Sequence, residues 1–267
     1  MVTSVQAPLF VPANRPERFA KAALSDADAV ILDLEDAVPA AEKDSARANL
    51  AADFTDKPVL VRINAAGTTS FQADVDALKA LDVAAVILPK AEETTNVTAL
   101  WTALDGRVPV IALIETAAGL ANARALASLE GVVRLAFGSI DYCADLGCAH
   151  KREVLLPVRS ELVLASKLAG IAAPIDGVTA DLADPEAAYT DAAHAKDLGM
   201  TGKLCIHPKQ IDEVRRAFAP TKAECDWAGR VLASGDGAAT VDGAMVDEPV
   251  RIRARAILAA ASRGEAQ

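Results

Sequence analysis

Short apolar runs recur along the chain at strand length, with helical patterning between them. Residues 7–12 read APLFVP, 29–36 AVILDLED, 59–64 VLVRIN and 84–90 AAVILPK. Residues 108–115 (VPVIALIE), 132–141 (VVRLAFGSID), 174–180 (PIDGVTA) and 203–207 (KLCIH) bring the set to eight. Helical segments are expected at 15–24, 40–52 and 153–169, among others. Unbroken Val/Ile/Leu runs alternating with amphipathic stretches predict parallel strands joined by helices. Right-handed crossovers then allow a doubly wound sheet or a closed barrel. The count of eight, the lack of a GxGxxG or Walker A segment, and polar residues at the ends of several runs favour an α/β (β/α)8 TIM barrel. Residues 1–219 are assigned to this barrel. From Pro220 the rhythm breaks into a helix, a Gly-rich turn-prone stretch (234–249) and a last helix with Pro249 near its first turn. Residues 220–267 therefore read as a C-terminal helical and loop extension.

Composition narrows the class. Of the 267 residues 52% are hydrophobic but only 4% aromatic, so the core rests on Ala, Val, Leu and Ile. The net charge of −10 argues against a nucleic-acid binder, which needs basic surface to displace phosphate counterions. No apolar run reaches the roughly 18 residues of a membrane span, and the first ten residues lack a signal-peptide pattern, so no membrane association and a cytoplasmic location are expected. The four cysteines form no CxxC pair, and Cys143, Cys148 and His150 match no common zinc spacing. No GxSxG elbow suggests a Ser–His–Asp triad.

The candidate chemistry lies at the run ends. The second run closes on Asp33, Glu35 and Asp36; the third carries Arg62 and Asn64; the fifth ends at Glu115; the sixth ends in Gly138, Ser139 and Asp141. A barrel gathers these remote positions onto one rim. Oxygen donors without His or Cys suit a hard cation such as Mg²⁺, with Glu115 and Asp141 as direct ligands and Glu35 and Asp36 holding bound waters. The competing reading makes each acid a helix cap. Arg62 is costly among apolar residues unless paired with an anion. It reads either as a fixed salt bridge or as a clamp on a substrate carboxylate or carbonyl. Arg15, Arg18 and Lys21 follow the first run within seven residues, as a solvated helix face or a phosphate-binding mouth. Lys90 is a Schiff-base candidate or charge balance for the acids, and is kept among the substrate-contacting candidates. His207 reads as a satisfied structural histidine and His194 as solvent-facing.

The segments LFVPANRPERFAKA, VILDLEDAV, VLVRINA, VILPKAE, IALIETAAGL, FGSIDYCADLG, GKLCIHPKQI and GAMVDEPV, in this order, resemble the citrate lyase β-subunit-like family, with its malyl-CoA and citramalyl-CoA lyases, within the phosphoenolpyruvate/pyruvate barrel superfamily. The resemblance implies Mg²⁺ at Glu115 and Asp141, supported through water by Glu35 and Asp36. It implies that Arg62 meets the α-keto product and that the basic first loop meets CoA phosphates. It gives Asp247 of the MVDEP segment the role of acid/base at the acetyl carbon, often in the active site of a neighbouring subunit of a trimer. The expected function is a stand-alone carbon–carbon lyase acting on a β-hydroxyacyl-CoA, with a CoA thioester and an α-keto acid as partners in a homotrimer or hexamer. The alternatives are a citrate lyase β-subunit using an acyl-carrier partner, and a class II aldolase using free pyruvate.

Overall fold

Eight Val-, Ile- and Leu-rich strands, β1 (Pro8–Pro12), β2 (Ala29–Asp33), β3 (Val59–Arg62), β4 (Ala85–Leu88), β5 (Val110–Ile114), β6 (Val132–Phe137), β7 (Ala172–Asp176) and β8 (Gly202–Lys203), pair in sequence order. All pairings are parallel. The sheet closes on itself. Leu9 bridges Cys205 in parallel, Phe10 N donates to Cys205 O (2.9 Å), and Cys205 N donates to Pro8 O (2.9 Å). The computed structural model describes residues 2–265. The barrel is the expected (β/α)8 architecture. Among the described residues, no helix is long and apolar enough to cross a membrane.

The intervening helices are α1 (Phe19–Ala23), α2 (Lys43–Ala48), α3 (Phe71–Leu78), α4 (Thr94–Ala103), α5 (Ala117–Ala121), α6 (Ala123–Ala127), α7 (Ser139–Leu146), α8 (Arg152–Ala169) and α9 (Pro185–Asp197). After β8 come α10 (Ile211–Phe218), α11 (Lys222–Ala233) and α12 (Glu248–Glu265). The expected helices at 15–24 and 40–52 are each split. A 3-10 turn over Pro16–Arg18 precedes α1, and another over Ala40–Glu42 precedes α2. The expected eighth strand, 203–207, shrinks to two residues. The Ile206 N–H is taken by the Gln210 side chain (2.9 Å), which turns the chain out of the ladder.

The pleat decides what faces inward. Ala29 and Ile31, Leu60, Ala85 and Ile87, Ile111 and Leu113, Ala136, Ile175 and Leu204 form one buried cluster inside the barrel. With a period of two, the next inward positions toward the C-terminal strand ends are Asp33, Arg62 and Glu115. At the opposite end the inward residue of β6 is Arg134. It is fully buried and donates to the carbonyls of Val5 (2.6 Å), Val2 (3.3 Å) and Ala173 (2.7 Å) and to Thr201 Oγ1 (2.8 Å). Arg134 therefore plugs the N-terminal mouth.

Two compact units are distinguished, Met1–Arg215 and Arg216–Gln267. Within the second, Ala228, Val231, Val246 and Ala254 form a small core with Trp227 and Leu258 packed on it. The Gly-rich stretch contains a hairpin of β9 (Ala239–Val241) and β10 (Ala244–Val246). Its two-residue turn, Asp242 (φ 53°) and Gly243 (φ 79°), has the left-handed backbone that a tight hairpin requires.

Candidate active site

The C-terminal strand ends surround a cavity of about 340 Å³. Among its lining residues are Phe10, Asp36, Arg62, Glu115, Gly138 and Asp141. Arg62 is its most heavily bonded cation. Nε and Nη2 each reach an oxygen of Asp33 at 2.7 Å, and Nη1 lies 3.0 Å from Glu35 Oε2 and 3.7 Å from Asp36. The guanidinium also stacks over Phe10, 4.8 Å from the ring centre. Asp33 is itself held by the backbone N–H groups of Glu35 (2.9 Å) and Ala37 (3.1 Å). Burial opposes the charge of Arg62, but Asp33, Glu35 and Asp36 outweigh it and raise its pKa. This arginine is ion-paired, as the salt-bridge reading expects, and it also lines the cavity.

Glu115 is placed for something other than capping the helix that follows it. Glu115 is 1% exposed and accepts the backbone N–H of Lys90 at 2.8 Å, not that of its own helix. Its pKa is raised to about 8, first by burial, then by the charge of Glu35, with Asp141 adding to it. Glu35 is raised as well, by burial, against the pull of Arg62 and Lys90. Its Oε2 carries no hydrogen bond although Arg62 is near. Two desolvated carboxylates that repel one another, with a spare acceptor oxygen beside them, create a demand for a cation. Among the described residues, no three His, Cys, Asp or Glu converge as a self-sufficient metal cage. A cation between Glu115 and Asp141 would take two protein carboxylates and complete its shell with water and substrate, the habit of Mg²⁺.

Lys90 takes the left-handed backbone (φ 46°), which points its N–H at Glu115 while Nζ reaches Glu35 at 2.8 Å. Burial lowers its pKa, but Glu35, Glu115 and Asp36 outweigh this and raise it, so the amine stays charged. That favours charge balance over Schiff-base chemistry. Gly138 was legible as a run-end position, but its role against Glu115 was not. A Cβ there would sit 2.2 Å from Glu115 Oε2, so the carboxylate rests directly on backbone. Asn64 is a brace: its Nδ2 binds Leu34 O (3.0 Å) and Asp74 (2.6 Å). Ser139 lines the cavity, and its Oγ lies 3.0 Å from His150 Nε2.

A second cavity, of about 710 Å³, adjoins the first and shares Phe10, Ala37 and Ile206 with it. Arg18, Lys21, His207 and Lys209 supply its basic wall. Of the three first-loop cations, Arg18 and Lys21 line it, whereas exposed Arg15 pairs with Glu17 at 2.7 Å. Lys209 was missed because its side of the rim comes from the far end of the barrel sequence. His207 Nδ1 accepts from Lys209 N (3.1 Å), as expected of a satisfied structural histidine. His194 departs from expectation. It is half-buried with an unpartnered Nε2, because the inner side of α9 packs on the barrel. Asp247, in the second unit, caps the start of α12 by accepting from Val250 N (3.4 Å).

A family model described as HpcH/HpaI aldolase/citrate lyase matches residues 6–208. A citrate lyase subunit beta-like protein of Mycobacterium tuberculosis is 41% identical over 94% of this chain and 93% of its own length. A (3S)-malyl-CoA thioesterase of Cereibacter sphaeroides is 31% identical over 95% of this chain and 93% of its own. The crystal structure of the M. tuberculosis protein CitE with magnesium, acetoacetate and coenzyme A superposes with a TM-score of 0.88 at 40% identity, covering 97% of this chain and 99% of that one. With the match spanning most of the barrel and curated relatives above 30% identity along nearly its whole length, the chain belongs to the HpcH/HpaI aldolase/citrate lyase family, a family of carbon–carbon bond-making and bond-breaking enzymes.

Proposed function

We propose that the protein is a Mg²⁺-dependent lyase that cleaves, or in reverse forms, the carbon–carbon bond of a β-hydroxyacyl-CoA such as malyl-CoA or citramalyl-CoA. The products of cleavage are acetyl-CoA and an α-keto acid. The observation that carries this reading is the adjacency of two cavities of different chemistry. One, of about 340 Å³, holds the carboxylates and Arg62; the other, of about 710 Å³, has a basic wall. Magnesium and coenzyme A in the structure of the CitE relative support it. A class II aldolase using free pyruvate would have no use for the second cavity.

Cleavage requires the substrate hydroxyl to lose its proton as the carbon–carbon bond breaks. The leaving thioester enolate then takes a proton at carbon. When bound, Mg²⁺ supplies Lewis-acid stabilisation of the oxygen that becomes the keto group. Glu115 and Asp141 would hold it, with Glu35 and Asp36 supporting it through water. Arg62, fixed by Asp33, binds and orients the carboxylate of the keto acid. Arg18 and Lys21 bind the CoA phosphates, with Arg15 of the same loop as a further contact. Lys90 holds Glu35 and Glu115 in register. Asp247 is assigned as proton donor to the acetyl carbon of a neighbouring subunit's substrate in a homo-oligomer, with the extension as the donating arm.

The test is direct. The isolated protein is incubated with each ester and Mg²⁺, and glyoxylate, pyruvate and free thiol are followed together. Keto acid without free thiol is expected. Free thiol without keto acid would replace cleavage by thioester hydrolysis, the activity in the name of the C. sphaeroides relative. No keto acid from any CoA ester, but turnover of a carrier-bound citryl thioester, would make the chain a citrate lyase subunit.

A further inference from the structure

A third cavity, of about 310 Å³, opens at the start of α8, and none of the roles above uses it. Its lining includes His150, Lys151, Arg152, Glu153, Arg159 and Asp191. Arg159 lines the inner side of the cavity and belongs to a buried charge cluster that lies behind it. Asp176, at the end of β7, accepts from Arg159 Nε at 2.7 Å and from Lys203 Nζ at 3.0 Å. Asp176 is fully buried, Lys203 is 1% exposed and Arg159 4%. Two buried cations thus share one carboxylate. Lys203 has a further acceptor in Gly177 O (2.6 Å), but Arg159 Nη1 has no hydrogen-bond partner. The carboxylate that does line the cavity beside Arg159, Asp191, is occupied by Arg152 (2.8 Å) and by Thr179 Oγ1 (2.8 Å). A buried guanidinium nitrogen left without an acceptor is costly, and the cost is removed by an anion.

The outer wall offers the same chemistry from another direction. Helix α8 runs for 18 residues, and its N-cap residue, Lys151, makes no side-chain cap. Lys151, Arg152 and Glu153 line the cavity, so it lies beside the uncapped first turn, at the positive end of a long helix. Exposed Lys151 and Arg152 stand at the rim, Arg152 paired with Asp191 at 2.8 Å, and the lining as a whole carries three cations, Lys151, Arg152 and Arg159, against two carboxylates, Glu153 and Asp191. Donors on several sides of a small space match a tetrahedral, doubly charged oxyanion better than a planar carboxylate.

We propose that this cavity is a binding site for a phosphate group, held between Arg159 on the inside and Lys151, Arg152 and the first turn of α8 on the outside. His150 lines the cavity and bonds Ser139 of the reaction cavity, so it reports directly on occupancy.

The test uses the full chain without Mg²⁺, at fixed ionic strength in chloride, titrated with inorganic phosphate and separately with glycerol phosphate. The imidazole NMR signals are read, and with three histidines in the sequence they are readily assigned. The His150 signal is expected to shift saturably in the millimolar range. It should do so equally in Arg18→Ala/Lys21→Ala, in which the basic wall of the large cavity is disabled. Lys151→Ala/Arg152→Ala should weaken the response at least tenfold, and so should Lys151→Glu alone at its exposed position. A response to phosphate alone restricts the site to the free ion; an equal response to glycerol phosphate makes it a site for a phosphorylated metabolite. An unmoved His150, an unchanged affinity in the Lys151 variants, or a response abolished by Arg18→Ala/Lys21→Ala overturns the proposal. None of these outcomes depends on whether the protein cleaves a CoA ester.

Discussion

Glu115 is the residue at which burial and charge conflict most openly. With its pKa at about 8, it is mainly protonated at neutral pH until a cation displaces the proton. Glu115→Gln keeps the shape and the neutral state, so the metal-free Tm should be unchanged, while Mg²⁺ affinity falls at least tenfold and kcat falls on the order of 10³-fold. Calorimetric metal titration and steady-state kinetics read these separately. An active Glu115→Gln would remove this side chain from the metal site. Gly138 tests the same carboxylate from behind. In Gly138→Ala the new Cβ would lie 2.2 Å from Glu115 Oε2 and 2.4 Å from its Cβ, so the acid must move. Activity should fall roughly 100-fold or more, because small misplacements are expensive in a preorganised site. The overpacking itself should cost only about 1–3 kcal/mol in denaturant unfolding.

At the scale of strands and helices, the sequence announced the site through position rather than identity. Asp33, Arg62 and Glu115 follow apolar runs, and the two-residue pleat of those runs carries them inward at the barrel mouth. The partnership of Arg62 with Asp33 was not legible, since side chains 29 residues apart meet only when the barrel forms. The same holds for Arg134, Asp176 and Lys203. Each is one charge in an apolar run, and the run does not say which end of the barrel its charge will occupy. The basic loop before α1 was legible as a cluster, but only the fold separates Arg18 and Lys21 from Arg15. Arg18→Ala with Lys21→Ala should raise KM for a CoA ester roughly tenfold and leave kcat nearly unchanged, as expected when binding is lost equally from ground and transition states. An unchanged KM would point to the aldolase reading. The joint of β7, α8 and β8 depends on Asp176. Burial alone would raise its pKa, but Lys203 and Arg159 hold it below the ordinary aspartate range. A depressed folded pKa gives stability that is complete above about pH 4 and is lost as pH falls through the folded value. Asp176→Asn should therefore cost about 3–5 kcal/mol at pH 7, because it strands two buried cations. That deficit should narrow as both proteins are unfolded below about pH 4; a deficit independent of pH would refute the charged pairing.

For the whole molecule, the two barrel ends divide the work. The N-terminal mouth is sealed by Arg134 and its four acceptors, while the C-terminal mouth holds the cavities. The role of the extension is a separate question, and it concerns Asp247. If Asp247 serves a neighbouring subunit, two inactive proteins can repair one another. Glu115→Gln has a dead cavity but a sound Asp247; Asp247→Asn has a sound cavity but lacks the donor. In a closed ring with a head-to-tail donor, a working site needs an Asp247→Asn subunit followed by a Glu115→Gln subunit. Random exchange of equal amounts puts those two in the required order at about one site in four. Mixing the variants under conditions that allow subunit exchange should therefore restore roughly a quarter of wild-type activity, from starting proteins each with almost none. If the donor acts within its own chain, every site keeps one defect and mixing restores nothing. If Asp247→Asn alone is fully active, Asp247 is no more than the cap that its bond to Val250 makes it.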